Sequence, residues 1–199
     1  KSGYVTISAR TGAYRTSPEF AKLHRNLLTI MKSDTSIFAD VQAFRGEASQ
    51  HFSSLFHAGG VLSDATIYNQ SATSIRQVFA PKTQGANNID SFMAYEPFQL
   101  RFFFSSMASL LGSIGQMNYS AANSWLDSLA DADQLMGIMT VSAQFGAWKS
   151  GGMASETSSK MEAMGLGALS AKSGMSSLSA VLKSIAWSTP EHEQVNIAI

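Results

Sequence analysis

The sequence of 199 residues has no cysteine, only four prolines and no excess charge, with 14 Lys and Arg against 14 Asp and Glu. Without cysteine, disulfides and thiolate metal sites are excluded, and a reducing cytoplasm is a compatible setting. Balanced charge supplies no net field to draw nucleic acid or an anionic membrane, so any anion site must be local. No uninterrupted apolar run reaches the roughly 18 to 20 residues of a membrane-spanning helix. The first residues, Lys1-Ser2-Gly3-Tyr4-Val5-Thr6-Ile7, also lack the apolar stretch of a secretion signal. A soluble, cytoplasmic protein is expected, with neither nucleic acid nor membrane as partner.

What is present is a hydrophobic content of 45%, enough for one sizeable core. Residues 1–199 are expected to form a single domain. Tyr4 to Ala9 reads as a strand ending at Arg10-Thr11-Gly12, and Pro18 to Met31 carries Phe20, Leu23, Leu27, Leu28 and Met31 at helical spacing. Ile37 to Val41 is a second strand candidate, and Ser54 to Ala58 a third, stopped by Gly59 and Gly60. A helix over Thr73 to Met93 follows, with Ile75, Val78, Phe79 and Ile89 inward and a kink at Pro81 and Gly85.

Leu100 to Ser105 includes three consecutive phenylalanines, as suits a central parallel strand buried on both faces. Further on come a helix from Asn118 to Met136, a strand from Met139 to Phe145 and helices within Lys160 to Lys183. A closing strand runs from Val195 to Ile199. The Gly/Ser-rich stretch from Ser150, within residues 150–165, reads as a lid. This alternation predicts an α/β fold, a Rossmann-like, doubly wound and mainly parallel sheet whose ligands sit at the carboxyl ends of the strands.

The block from Phe102 to Asn123 then takes on chemical meaning. Ser106 falls at a strand end, while Tyr119 and Asn123 stand four apart on the next helix and share one face. A carbonyl held there would be protonated as it is reduced. A lone His57 without ligand-spaced partners reads as a packed residue, so no metal is expected.

These residues resemble the ketoreductase domain of modular type I polyketide synthases, a branch of the short-chain dehydrogenase/reductase family that includes the fatty acid synthase ketoreductase. The likeness is carried by Phe56 to Asp64 (Phe-His-Ala-Gly-Gly-Val-Leu-Ser-Asp), Pro81-Lys82-Thr83-Gln84-Gly85, Ser105 to Asn123, Gly146-Ala147-Trp148 and Gly151-Gly152-Met153-Ala154, in that order.

The resemblance implies NADPH-dependent reduction of a β-ketoacyl thioester, carried on an acyl carrier protein by phosphopantetheine, to a β-hydroxyacyl thioester. Tyr119 is implied as proton donor, and Lys82 as the cation that favours its phenolate. Ser106, thirteen residues before Tyr119, would hold the carbonyl oxygen, and Asn123 would order the lysine and the proton path. Lysine and asparagine here follow the exchanged arrangement of these ketoreductases. Arg10 matches the residue that contacts the 2′-phosphate of NADPH, Asp40 and Val41 the pair near the adenine, and Ala58, Gly59 and Gly60 the turn at the nicotinamide ribose. Leu62-Ser63-Asp64 partly matches the Leu-Asp-Asp signature of B-type enzymes, and Leu111 stands where A-type enzymes carry tryptophan, so Asp64 and Leu111 are assigned to substrate and B-type stereochemistry is expected. Trp148 and Met153 read equally as packing or as a substrate-facing lid.

The family's first strand and Gly-x-Gly-x-x-Gly turn find no counterpart here. The expected sheet therefore has a gap between two inner edges. An upstream segment, from the same polypeptide, supplied in trans or lost, is expected to fill it, and other synthase domains are expected partners. Two other readings stay open: a non-reducing remnant that scaffolds neighbouring domains, and a free-standing dehydrogenase acting on small ketones.

Overall fold

The computed structural model describes residues 4–11, 28–48, 51–149, 165, 167–188 and 197–198. Six parallel strands form one sheet in the order β2-β1-β6-β3-β4-β5. In chain order these are β1 (Val5–Ala9), β2 (Leu28–Lys32), β3 (Ser54–His57), β4 (Leu100–Ser106), β5 (Thr140–Phe145) and β6 (Ile197–Ala198). The helices are α1 (Phe38–Glu47), α2 (Ala72–Phe79), α3 (Gly85–Met93), α4 (Met107–Leu111), α5 (Met117–Leu135) and α6 (Ala171–Ser188).

The triple phenylalanine shows why β4 is buried on both faces. Side chains alternate along a strand, so Phe102 joins Phe56, Leu100 and Leu178 of α6 on one face, while Phe103 joins Ala86, Leu126 and Ala130 on the other. Phe102 is fully buried, which stabilises the fold by about 2 to 3 kcal/mol. A third cluster, Val41, Phe44, Phe52, Leu55, Ile89 and Met93, seats α1 and α3. β4 runs inside the sheet between β3 and β5, one strand from the edge rather than at the centre.

Two sequence expectations are corrected. The second strand is Leu28–Lys32, paired with β1 in register from Val5↔Leu28 to Ala9↔Lys32, and not Ile37 to Val41. Ile37 is the N-cap of α1, with Asp40 and Val41 inside that helix. The expected inner gap is also bridged: β6 pairs with β1 through Val5↔Ile197 and with β3 through Ser54↔Ile197. It covers two residues of each neighbour, so the carboxyl halves of β1 and β3 extend beyond it.

The kink expected at Pro81 is a π-helical turn, Ala80–Gln84, between α2 and α3. Proline brings no N–H to the helical ladder, and the wider turn accommodates that loss. A capping box of Ser71 and Ser74 starts α2. Gly112, at φ 73°, ends α4 in a backbone conformation that favours glycine and lets the chain turn towards α5. Residues 150–164 of the expected lid, Met153 among them, lie outside the described residues.

Candidate active site

Strand β4 ends at Ser106, the N-cap of α4, whose Oγ accepts the Ala108 N–H at 3.2 Å. The second residue of helix α5 is the fully buried Asn118. Its Nδ2 donates to Ser63 O at 2.9 Å and Gln70 Oε1 at 3.2 Å, and its Oδ1 accepts the Tyr119 N–H at 2.8 Å. The first turn of α5 is therefore anchored on the β3–α2 loop, which fixes where Tyr119 stands. One turn on, Asn123 Nδ2 donates to Tyr119 O at 2.7 Å, while its buried Oδ1 has no hydrogen-bond partner among the described residues.

The π-turn delivers Lys82 to the same place. Only 3% exposed, it donates from Nζ to Phe104 O at 3.0 Å and lies 5.5 Å from the centre of the Tyr119 ring. Burial pushes its amine down to about 8, and the charge of Asp127 works in the opposite direction. Burial raises the Tyr119 phenol; the Asn123 and Ser106 side chains favour its phenolate, and Asp64 disfavours it. Lys82, Ser106, Tyr119 and Asn123 thus come together from three separate stretches of sequence. A proton held on a buried phenol beside a cation and a hydroxyl suits transfer to an oxygen that gains negative charge.

Next to this group lies a cavity of ≈ 360 Å³ at the carboxyl ends of β1 and β3. Arg10, Ala58, Gly59 and Gly60 line it, and so do Val41 and Asp34. A Cβ on Gly59 would sit 3.2 Å from Pro81 O, and one on Gly85 2.8 Å from Thr35 Oγ1, so both glycines permit close backbone approach. The glycine wall and the Arg10 cation fit the ribose and phosphate parts of a dinucleotide. Asp40 stays outside this lining; its carboxylate accepts the Asp34 N–H at 2.9 Å.

Asp64 accepts the Gln116 Nε2 at 3.1 Å, and Gln116 is fully buried. Leu111, at the end of α4, is exposed. Trp148 packs on α6, where an added Cβ at Gly174 would lie 2.3 Å from its ring, and it pairs with Leu169 in an isolated bridge. His57 is buried, and burial pushes its imidazole down to about 4, with the Lys82 charge adding to this and backbone hydrogen bonds at Lys82 and Pro81 opposing it. Among the described residues no group of three or more His, Asp or Glu is placed to hold a metal ion, and no helix is long and apolar enough to cross a membrane.

Sequence reasoning missed Asp34, Gln116 and Asp127. Asp34 follows the strand that was misplaced. Gln116 stands three residues before Tyr119, and Asp127 is two turns after Tyr119 on the same helical face; these spacings were the available signals.

Comparison with known proteins bears on the family and the fold. The family model described as KR domain matches residues 5–150. Polyketide synthase GfsA of Streptomyces halstedii is 39% identical over 100 residues, covering 50% of this chain and 1% of that protein. Mellein synthase of Phaeosphaeria nodorum is 32% identical over 167 residues, covering 76% of this chain and 9% of that protein. The chain therefore spans a small part of the length of these relatives. Among solved structures, that of A-type ketoreductases from a modular polyketide synthase superposes with a TM-score of 0.81 at 25% identity, covering 92% of this chain and 40% of that one.

Proposed function

The chain belongs to the KR domain family, and from that premise we propose that it is the catalytic portion of a ketoreductase acting on β-ketoacyl thioesters in polyketide assembly. The carrying observation is the buried Lys82 ammonium beside the Tyr119 ring, with Ser106 at the end of β4 and Asn123 one turn further along α5. In this reading the Ser106 hydroxyl donates to the ketone oxygen and orients it. Tyr119 passes its phenolic proton to that oxygen as charge builds there. Lys82 stabilises the phenolate left behind, and Asn123, with its free Oδ1, accepts from the lysine or from a solvent molecule that returns the proton.

NADPH, held by Arg10 and by the Ala58 to Gly60 turn, supplies the hydride when bound. The Arg10 cation favours the phosphorylated nucleotide over NADH. Asp64, tied to Gln116 beside Tyr119, is assigned to the substrate entrance, with Leu111 on the α4 side; B-type stereochemistry of the product is the expectation. The acyl group is carried on an acyl carrier protein, and neighbouring synthase domains are the structural partners.

The test is turnover. A chain extended at its N-terminus through the first strand and phosphate turn, mixed with NADPH and a β-ketoacyl pantetheine thioester, should consume NADPH and release a β-hydroxyacyl product of one configuration. No consumption, together with no NADPH binding by fluorescence, would favour the scaffold reading. That second reading draws on one observation: β6, Ile197–Ala198, pairs with both β1 and β3 inside the sheet.

A further inference from the structure

The α5 face that bears Tyr119 and Asn123 continues, one turn later, to Asp127. Its carboxylate is surrounded by donors from other elements. Oδ2 accepts Ser109 Oγ of α4 at 2.6 Å and Gln144 Nε2 of β5 at 2.9 Å, and Oδ1 accepts Ser142 Oγ of β5 at 2.6 Å. On the same helix, Ser105 Oγ of β4 reaches Asn123 O at 3.5 Å. We propose that Asp127 is a positioning residue, which clamps the β4–α4 corner carrying Ser106 against the α5 face carrying Tyr119.

Three observations support this. The donors come from α4 and β5, so a single carboxylate joins both to α5. Burial works against the Asp127 charge, but the donors from Ser109, Ser142, Gln144 and Ser105 outweigh it and hold the carboxyl below its usual range. A fixed, ionised carboxylate also raises the Lys82 amine, against the effect of its burial. The other ionisable groups facing this region are His57 of β3, which burial keeps neutral, and Tyr119 and Asp64, which act on one another.

This role deepens the ketoreductase reading, since Lys82 matters only if Tyr119 is the proton donor. The test is independent of turnover. Proteins labelled at lysine Cε with carbon-13 are titrated by NMR, with Lys82→Met used to assign the signal. Asp127→Asn should lower the Lys82 midpoint by about half a unit or more, and Asp127→Glu should restore it. Gln144 is exposed, so Gln144→Lys should fold normally and shift the midpoint in the same direction by placing a cation against the carboxylate. If Asp127→Asn does not fold, Gln144→Lys decides. A Lys82 midpoint that stays at its wild-type value in every folded variant overturns the proposal while leaving the assignment of Tyr119 intact.

Discussion

The Lys82 ammonium lies 5.5 Å from the centre of the Tyr119 ring, both side chains buried, the lysine presented by a π-turn and the tyrosine by the first turn of α5. Burial alone makes the phenolate harder to form, so the cation and the Ser106 and Asn123 dipoles must offset that penalty. Tyr119→Phe removes the proton while keeping the ring and its packing. Steady-state NADPH consumption by the extended chain should fall by about 10² to 10⁴-fold, with the melting temperature unchanged. A Phe variant that turns over at the wild-type rate contradicts the role given to Tyr119.

Lys82 gives the reaction a pH limit. Its amine titrates near 8 in the folded protein, so the cation is lost above that value and the rate should decline through an apparent pKa close to it. The same residue has a cost in stability. In the unfolded chain the amine keeps its ordinary value of 10.5, so between pH 8 and 10.5 the unfolded state binds more protons and stability rises with pH. Below 8 the penalty is complete, of the order of 3 kcal/mol. Lys82→Met should therefore be inactive and more stable than wild type at pH 7, and the difference in denaturant midpoint should shrink towards pH 10.5.

His57 titrates in the opposite part of the scale. Buried beside the Lys82 charge, it stays neutral down to about pH 4, whereas its unfolded value is 6.5. The stability it contributes is present in full above pH 6.5 and disappears as the pH falls through 4, because the unfolded state takes up the proton first. His57→Gln should flatten the loss of stability between pH 6.5 and 4, measured by urea unfolding at each pH. Equal slopes for mutant and wild type would remove His57 as the acid-sensitive group.

Much of this site is legible from residue spacing, because Ser106, Tyr119 and Asn123 belong to one strand, turn and helix with local signals. Lys82 was assigned only through the family resemblance, which Pro81 to Gly85 helps to carry, whereas the kink at Pro81 follows from its missing N–H. The β2 strand was hidden because Leu27, Leu28 and Met31 mimic helical spacing, while Leu28 to Lys32 is half-buried or exposed without alternation. Ile37 and Phe38 look like strand residues in sequence, yet they are about half exposed at the start of α1. With the strand placed at Ile37 to Val41, the resemblance assigned Asp40 and Val41 to the adenine; with the strand at Leu28–Lys32, Asp34 lines the cavity and Asp40 does not. Asp127 was missed because its importance comes from donors on α4 and β5, which meet it only in the folded chain. The placement of β6 depends on long-range pairing that no local pattern encodes.

Gly174 and Trp148 form a pair whose coupling has a predictable sign. A methyl group on Gly174 would lie 2.3 Å from Cη2 and 2.5 Å from Cζ3 of the indole, too close for the ring to remain where it packs on α6 and Phe145. In a helix interior, glycine to alanine normally stabilises by about 1 kcal/mol. Here the overlap should dominate, and Gly174→Ala should destabilise by about 1 to 3 kcal/mol, since a ring wedged between a helix and another aromatic has little room to shift. In a Trp148→Leu background the obstruction is gone, so the same Gly174→Ala change should stabilise the protein. Thermal unfolding of the four proteins of this cycle reads both effects together. If Gly174→Ala has the same sign in both backgrounds, Trp148 does not rest on α6.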